Sequence, residues 1–163
     1  MAGYQLTYNV DMVFCIDSTG SMRHVLDFVK QNALNLYQDI TREMEKKHKT
    51  IHQLRAKVIA FRDYIADGEE AMLSSDFFTL PEQAEMLRDC VEGIHAKGGG
   101  DIPEDGLEAL AYAIRSDWTR EGVKKRHIIV VWSDAPTHEL GHGKIAPWYP
   151  EGMAQDFDEL TLW

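Results

Sequence analysis

The sequence predicts an α/β fold in which a mostly parallel sheet carries helices on both faces. Strand-like apolar runs alternate along the chain with segments of helical periodicity. Two of these runs, 8–16 and 127–132, are almost continuously apolar, which is typical of parallel strands buried on both faces. The chain has 163 residues, of which 44% are hydrophobic, and that is enough for one domain with a sizeable core.

The first half of the chain contains two strands, two helices and an edge segment. The strand at 8–16 is followed by a helix over 21–47, where apolar side chains recur at helical spacing. A second strand is predicted at 54–61, and 72–79 reads as a short edge strand. A helix over 80–94 begins with a proline in its first turn, where the missing N–H does no harm.

The second half contains one more helix and one more buried strand. Three glycines at 98–100 break the chain, and a helix follows over 107–114. The strand at 127–132 leads into a loop-like stretch at 137–149, and 151–162 has a weak helical pattern. Ligands of such sheets bind beyond the carboxyl ends of the strands, so the loops there are the first place to look for a site.

Charge and cysteine content narrow the class of partner and the compartment. The formal net charge of −10 argues against nucleic acid and against an anionic membrane, because phosphate binding needs a basic face. It suits a divalent cation better. Cys15 and Cys90 are too few for a disulfide framework, and we expect buried thiols in a reducing compartment. The chain shows neither a leader-like start nor an apolar run of about 18 residues, so we expect a cytoplasmic protein.

The loop after the first strand carries the strongest chemical signal. Asp17 supplies a charged oxygen, and Thr19 and Ser21 supply neutral oxygens at alternate positions. Gly20 between them allows a tight turn. These are the ligands that a hard cation prefers. A helix N-cap would explain one hydroxyl, but it would not require an aspartate and a run of hydroxyls together.

Two further acidic loops are predicted at the same edge of the sheet. The segment 98–104 contains Asp101 and Glu104 and precedes a helix, and Asp134 follows the strand at 127–132. One acid at the end of a strand is commonly a cap or a surface turn. Three acidic loops at one edge indicate a single metal site.

Together these motifs resemble a von Willebrand factor type A (VWA) domain with a metal-ion-dependent adhesion site. Residues 17–22 (Asp-Ser-Thr-Gly-Ser-Met) match the family's Asp-x-Ser-x-Ser loop, with a threonine that keeps the middle hydroxyl. Residues 130–136 match the third loop, which carries an aspartate after a hydrophobic strand. The family usually has a threonine in its second loop. Here 98–104 (Gly-Gly-Gly-Asp-Ile-Pro-Glu) stands in that place, and it resembles an intracellular and microbial subgroup.

The resemblance covers residues 8–138 and implies a doubly wound, Rossmann-like sheet with one short antiparallel edge strand. It implies a single VWA domain over 1–163 that lacks the last strand and helix of the family, as a fragment of a longer chain. Oxygen-only ligands favour Mg2+, then Mn2+ or Ca2+. The implied metal ligands are Asp17, Thr19, Ser21, Asp101 and Asp134, with Glu104 as the alternative to Asp101.

The function implied by the resemblance is metal-dependent protein interaction. An acidic side chain of a protein partner would complete the coordination of the cation, and the domain would act as a scaffold or adaptor in an intracellular assembly. A third carboxylate, from Asp101, should tighten cation binding and reduce the positive charge left for that partner.

Two other interpretations start from the same residues. A Mg2+-dependent phosphoryl-transfer enzyme of the haloacid dehalogenase type also begins with an aspartate after a strand, but it needs a second acid where Thr19 stands. The phosphate-binding glycine motif is also missing, so we expect no enzyme. His138 and His142 are four residues apart and suggest zinc, but Gly141 and Gly143 oppose a helix, which favours a plain loop.

Overall fold

The structure, a computed structural model, describes residues 6–163 and has an α/β fold built on a mixed, mostly parallel sheet. The strand order is β3-β2-β1-β5, with β4 also paired to β2. β1 is parallel to β2 and β5, whereas β3 and β4 are antiparallel to β2. The strands are β1 (Leu6–Asp17), β2 (Lys49–Phe61), β3 (Met72–Ser74), β4 (Phe78–Leu80) and β5 (Lys124–Trp132).

The predicted helices occur in the predicted order, with one short helix (Tyr64–Asp67) that was not predicted and with several shifted boundaries. The helix expected from residue 21 starts with a 3-10 turn (Gly20–His24) and becomes α-helical at Leu26. The pattern at 151–162 produces a single helical turn. The helices are α1 (Leu26–Lys46), α2 (Tyr64–Asp67), α3 (Ala84–Glu92), α4 (Gly106–Ile114) and α5 (Phe157–Leu160).

The prediction for 72–94 was wrong in two details. The edge strand is split into β3 and β4, and the Ser75 hydroxyl between them accepts the N–H of Val58 at 2.9 Å, in the place of a ladder bond. The helix does not begin at Leu80, which is the last residue of β4, but at Ala84. Leu80 pairs with β2, and this pairing outweighs the tendency of Pro81 to start a helix.

Alternate side chains of β1 pack in two separate clusters of buried residues. One set packs with α1 and α3, and the other packs with α4. Because successive strand residues point to opposite faces, helices cover β1 on both sides. Burying each such side chain contributes roughly 1.5–3 kcal/mol. The first set is Val10, Met12, Phe14 and Ile16, and the second is Val13 and Cys15.

A buried ion pair interrupts the apolar run of β1. Asp11 is 1% exposed and accepts two hydrogen bonds from Arg55 of β2, at 2.9 and 2.7 Å. The N–H of Thr119 donates to the same carboxylate at 2.7 Å. Burial alone raises the pKa of Asp11, but the hydrogen bonds from Arg55 and Thr119 outweigh it and hold that pKa below its usual value. The pair ties β1 to β2 and to the segment that enters β5.

The expectation of two buried thiols is confirmed for Cys15 but not for Cys90. Both are free thiols, and Cys90 is only partly buried. Burial raises the pKa of Cys15 to about 12, which keeps it in the unreactive thiol form. Across residues 6–163, every helix is too short or too polar to cross a bilayer.

We predict that Asp11→Ala lowers the free energy of unfolding by about 3–5 kcal/mol, because it leaves the Arg55 charge half-buried without its partner. Asp39→Ala is the matched control, since Asp39 pairs with Arg42 on the surface and its loss should cost under about 1 kcal/mol. Urea denaturation measures both. Equal effects of the two substitutions would contradict the structural role of Asp11.

Candidate metal centre

The first acidic loop begins where β1 ends, at the fully buried Asp17. Its Oδ1 accepts hydrogen bonds from the Thr19 N–H at 3.0 Å and from the Thr19 hydroxyl at 2.6 Å. This local turn is a common use of an aspartate beside a hydroxyl residue. The N–H of Gly20 then donates to the carbonyl of Gly98 at 3.1 Å, which closes the first loop onto the second.

The first and third loops share a continuous ladder of oxygen atoms, which we call the oxygen ladder. It consists of Asp17, Thr19, Ser21 and Asp134. The Thr19 and Ser21 hydroxyls are 3.2 Å apart, and the Ser21 hydroxyl donates to Asp134 Oδ1 at 3.0 Å. The remaining oxygen of Asp17 accepts a hydrogen bond from the Ser133 hydroxyl at 2.7 Å. Four of the five predicted metal ligands therefore form one chain of closely spaced oxygen atoms.

Thr19, Ser21 and Asp134 of the oxygen ladder line an open cleft of about 280 Å³, and the fully buried Asp17 lies behind them. The opposite wall comes from the second loop, 98–104, including Asp101 and Glu104. All three acidic loops thus meet at one edge of the sheet. Carboxylates and hydroxyls around an accessible cleft are a suitable ligand set for a small, hard cation.

The glycine run brings the second loop close to the first. Gly98 and Gly99 have positive φ angles of 72° and 86°, and the Gly99 N–H donates to both carboxylate oxygens of Asp67. A Cβ atom at Gly99 would lie 2.9 Å from Glu104 Oε1 and 3.2 Å from Thr19 Cβ. Only glycine fits this backbone and this spacing.

Asp101 lines the cleft, but its side chain is hydrogen bonded to His138 and not to the oxygen ladder. Its side chain is 60% exposed, and its Oδ1 is 3.0 Å from His138 Nε2. The hydrogen bond from His138 lowers the pKa of Asp101. The carboxylate of Asp101 is therefore paired with His138, a residue that the sequence analysis had placed in a plain loop.

Glu104 has the opposite environment. It is 3% exposed, and its Oε2 has no hydrogen-bond partner among the residues that the structure describes. Burial, then the nearby charges of Asp17, Asp63 and Asp67, raise its pKa to about 8. A buried carboxyl without a partner and next to other acids is where a cation would be most stabilising.

Arg62 is a supporting residue to which the sequence pattern assigned no role. Its side chain is buried and donates to the carbonyls of Ser18, Glu70 and His95 at 3.1, 2.8 and 2.9 Å. One guanidinium thereby joins the first loop to the segments on either side of α3. The only signal in the sequence is its position directly after β2, at the same sheet edge.

Asp63 and Ser133 also support the loops. Asp63 caps α2 by accepting the N–H groups of Ile65 and Ala66, and Ser133 holds the free oxygen of Asp17. Ser133 directly follows β5 and Asp63 lies two positions after β2, and this placement is the signal that would have identified them.

Comparisons with known proteins give distant and partial matches, and no protein-family model matches the chain. It is 27% identical over 138 residues to an ariadne-like RING finger protein of Acanthamoeba polyphaga mimivirus. It is 25% identical over 143 residues to alpha-protein kinase vwkA of Dictyostelium discoideum. These matches cover 83% and 88% of the chain but only 12% and 21% of the relatives. The open conformation of pilus adhesin SpaC from Lactobacillus rhamnosus GG superposes on 74% of the chain, and on 14% of the adhesin, with a TM-score of 0.49 at 19% identity.

We predict that Glu104→Gln stabilises the metal-free protein at alkaline pH. Because the pKa of Glu104 is higher in the folded than in the unfolded chain, wild-type stability falls as the pH rises through the interval from about 4.5 to about 8. Glutamine does not ionise, so the free energy of unfolding should exceed that of the wild type by on the order of 2–4 kcal/mol near pH 9.

Denaturation in the presence of a chelator, at about pH 5 and about pH 9, tests this prediction. The control is Glu121→Gln, at an exposed position, which should leave stability unchanged at both values. If the difference in the free energy of unfolding between Glu104→Gln and the wild type does not grow with pH, ionisation of Glu104 does not destabilise the folded protein.

Proposed function

We propose that this chain is a cation-dependent protein-interaction module, in which the oxygen ladder binds Mg2+ and a carboxylate of a partner protein completes the coordination. The observation that carries the proposal is the oxygen ladder Asp17–Thr19–Ser21–Asp134, of which Thr19, Ser21 and Asp134 line an open cleft. This arrangement, at the ends of β1 and β5, supports a doubly wound domain of the VWA type.

The polarity of the hydrogen bonds is suited to a cation. Thr19 and Ser21 donate their hydroxyl protons to Asp17 and Asp134, which leaves the hydroxyl lone pairs available for the ion. The two carboxylates then bind directly or through water and orient the hydroxyls. A ligand set made only of oxygen favours Mg2+, with Mn2+ and Ca2+ as the alternatives.

The burial of the ladder supports an open coordination position. Asp17 and Thr19 are buried, whereas Ser21 and Asp134 are exposed. An ion held between them has the protein on one side and solvent on the other. An acidic side chain of a partner can approach from the solvent side and replace a water molecule, which Mg2+ usually retains in protein sites.

For the second loop we propose Glu104 as the acid that faces the ion, directly or through water. Its unpartnered oxygen and the effect of Asp17 on its pKa support this choice. Asp101, which the resemblance implied as the ligand, is hydrogen bonded to His138 instead. We therefore place Asp101 at the rim of the cleft.

The proposal is an adaptor or scaffold in the cytoplasm and does not include catalysis. Thr19 stands where a phosphoryl-transfer enzyme of the haloacid dehalogenase type needs its second acid. Segments similar to this chain form a small part of a RING finger protein and of a protein kinase. Because similar segments occur in two proteins of such different kinds, we favour a module that recruits other proteins over one that catalyses a reaction.

We predict that the chain binds one Mg2+ and that Asp17→Asn weakens binding by at least about tenfold, because the substitution removes a charged ligand of the ladder. Ser21→Ala should weaken it similarly, whereas Asp101→Asn should change it less than about threefold. Isothermal titration measures the affinities, with Ser116→Ala as the control at a helix end. Wild-type affinity in Asp17→Asn would contradict the site, and a tenfold loss in Asp101→Asn would return the second-loop role to Asp101.

We also predict that acetate, as the simplest carboxylate, binds the protein only when Mg2+ is present. NMR should show amide shifts at residues 19–21 and 133–135 on addition of acetate to the Mg2+ form, because the ion offers an exchangeable position there. Asp17→Asn and matched chloride additions are the controls. Equal shifts without Mg2+ would contradict the recognition of a partner through the metal.

A further inference from the structure

A second cluster of metal-ligating side chains lies beside the oxygen ladder and shares no residue with it. It consists of Asp101, His138 and His142, and we call it the histidine cluster. One ligand atom from each of the three lies within 4.8 Å of the other two. Two imidazoles and a carboxylate form a ligand set different from that of the ladder, so this cluster calls for its own assignment.

His138 is the fixed member of the cluster. Its side chain is 5% exposed, its Nδ1 is 3.0 Å from Asp105 Oδ1, and its Nε2 is 3.0 Å from Asp101 Oδ1. A carboxylate behind one ring nitrogen is how proteins orient a histidine whose other nitrogen binds metal. Here the fully buried Asp105 has that place, and Nε2 points toward the second ligand.

His142 is brought to the same side by a tight turn. Its N–H donates to the Glu139 carbonyl at 3.1 Å, and Gly141 supplies a φ of 86°. The buried Glu108 accepts the Gly141 N–H at 3.0 Å and so anchors the turn. The His142 ring then stacks on that of His138 with 3.9 Å between centroids and 20° between planes. A 3-10 turn (His142–Ile145) begins directly after Gly141, where the sequence had predicted a plain loop, and it keeps the two histidines in contact although they are four positions apart.

Backbone hydrogen bonds hold the two halves of the cluster in register. The Glu104 N–H donates to the Pro136 carbonyl at 3.1 Å, and the His138 N–H donates to the Glu104 carbonyl at 2.9 Å. The loop of Asp101 is therefore attached directly to the segment of His138. Ligand atoms around a tetrahedral zinc ion are roughly 3.3–3.5 Å apart. Small rotations of the exposed Asp101 and His142 side chains would reach that spacing.

We propose that Asp101, His138 and His142 bind a transition-metal ion of the zinc class, at a site distinct from the Mg2+ site. Imidazole nitrogen suits zinc, nickel and copper, whereas hydroxyl and carboxylate oxygens suit Mg2+. The ion would lie where Asp101 Oδ1 and His138 Nε2 face each other, with His142 as the third ligand and a position open to solvent. It would join the second loop to the 138–142 turn at the mouth of the cleft.

The test is a titration of the metal-free chain with Zn2+, carried out against a chromophoric chelator after removal of any purification tag. We expect one equivalent of Zn2+ in the wild type and a loss of affinity of at least about tenfold in His142→Ala and in Asp101→Asn. Both residues are exposed, so both variants should fold. His52→Ala, at an exposed histidine of β2, is the matched control and should bind like the wild type.

A Co2+ titration followed by visible absorption adds a readout of geometry, since four-coordinate Co2+ absorbs much more strongly than octahedral Co2+. Strong absorption in the wild type that is lost in His142→Ala supports the histidine cluster. Zn2+ affinity that is absent in the wild type or unchanged in His142→Ala overturns it. Loss of Zn2+ binding in Asp17→Asn also overturns it, because the ion would then lie in the oxygen ladder. The Mg2+ result is scored separately on Asp17→Asn and Ser21→Ala, so either site can fail alone.

Discussion

Several carboxylates crowd the edge of the sheet where β1, β2 and β5 end, and the arrangement of the loops follows from this concentration of negative charge. Asp17, Asp63, Glu104 and Asp105 are all buried there. Burying an acid is costly unless donors surround it. The chain supplies hydroxyls from the first loop, backbone N–H groups from α2 and the glycine run, and the imidazole of His138. Glu104 Oε2 lacks such a donor among residues 6–163, and the positive charge missing at that point is what a cation provides.

The need to surround buried acids with hydrogen-bond donors also explains the glycines and the arginine near the cleft. The turn at Gly98 and Gly99 brings the Gly99 N–H within reach of Asp67, and a side chain at either position would collide with a carboxylate. Arg62 acts on carbonyls rather than on the acids, so it fixes the loops without neutralising the site. A pocket built in this way keeps its negative charge, which favours the binding of a divalent ion.

The predictable part of the structure was the part determined by neighbours in the sequence. Apolar periodicity identified β1, α1 and β5, and the turn after β1 begins with hydrogen bonds between Asp17 and Thr19, which are only two positions apart. What depends on distant pairing could not be predicted. The contact between Asp101 and His138 spans 37 positions, and the pair of Asp11 with Arg55 spans 44. A histidine in a glycine-containing loop and an aspartate in an apolar strand have no local signature of such partners, and the helix expected at Leu80 gave way to pairing with β2 for the same reason.

Asp101 connects the two proposed metal sites, because its charge can serve only one of them at a time. With Asp101 engaged by His138, or by an ion held between them, the oxygen ladder keeps two carboxylates of its own, Asp17 and Asp134. A Mg2+ ion there retains more positive charge than it would if Asp101 were also one of its ligands. Under the proposed function, that residual charge would attract a carboxylate from a partner protein. Occupation of the histidine cluster would therefore strengthen recognition at the ladder, and the two sites, though built from different ligand atoms, would act in the same direction.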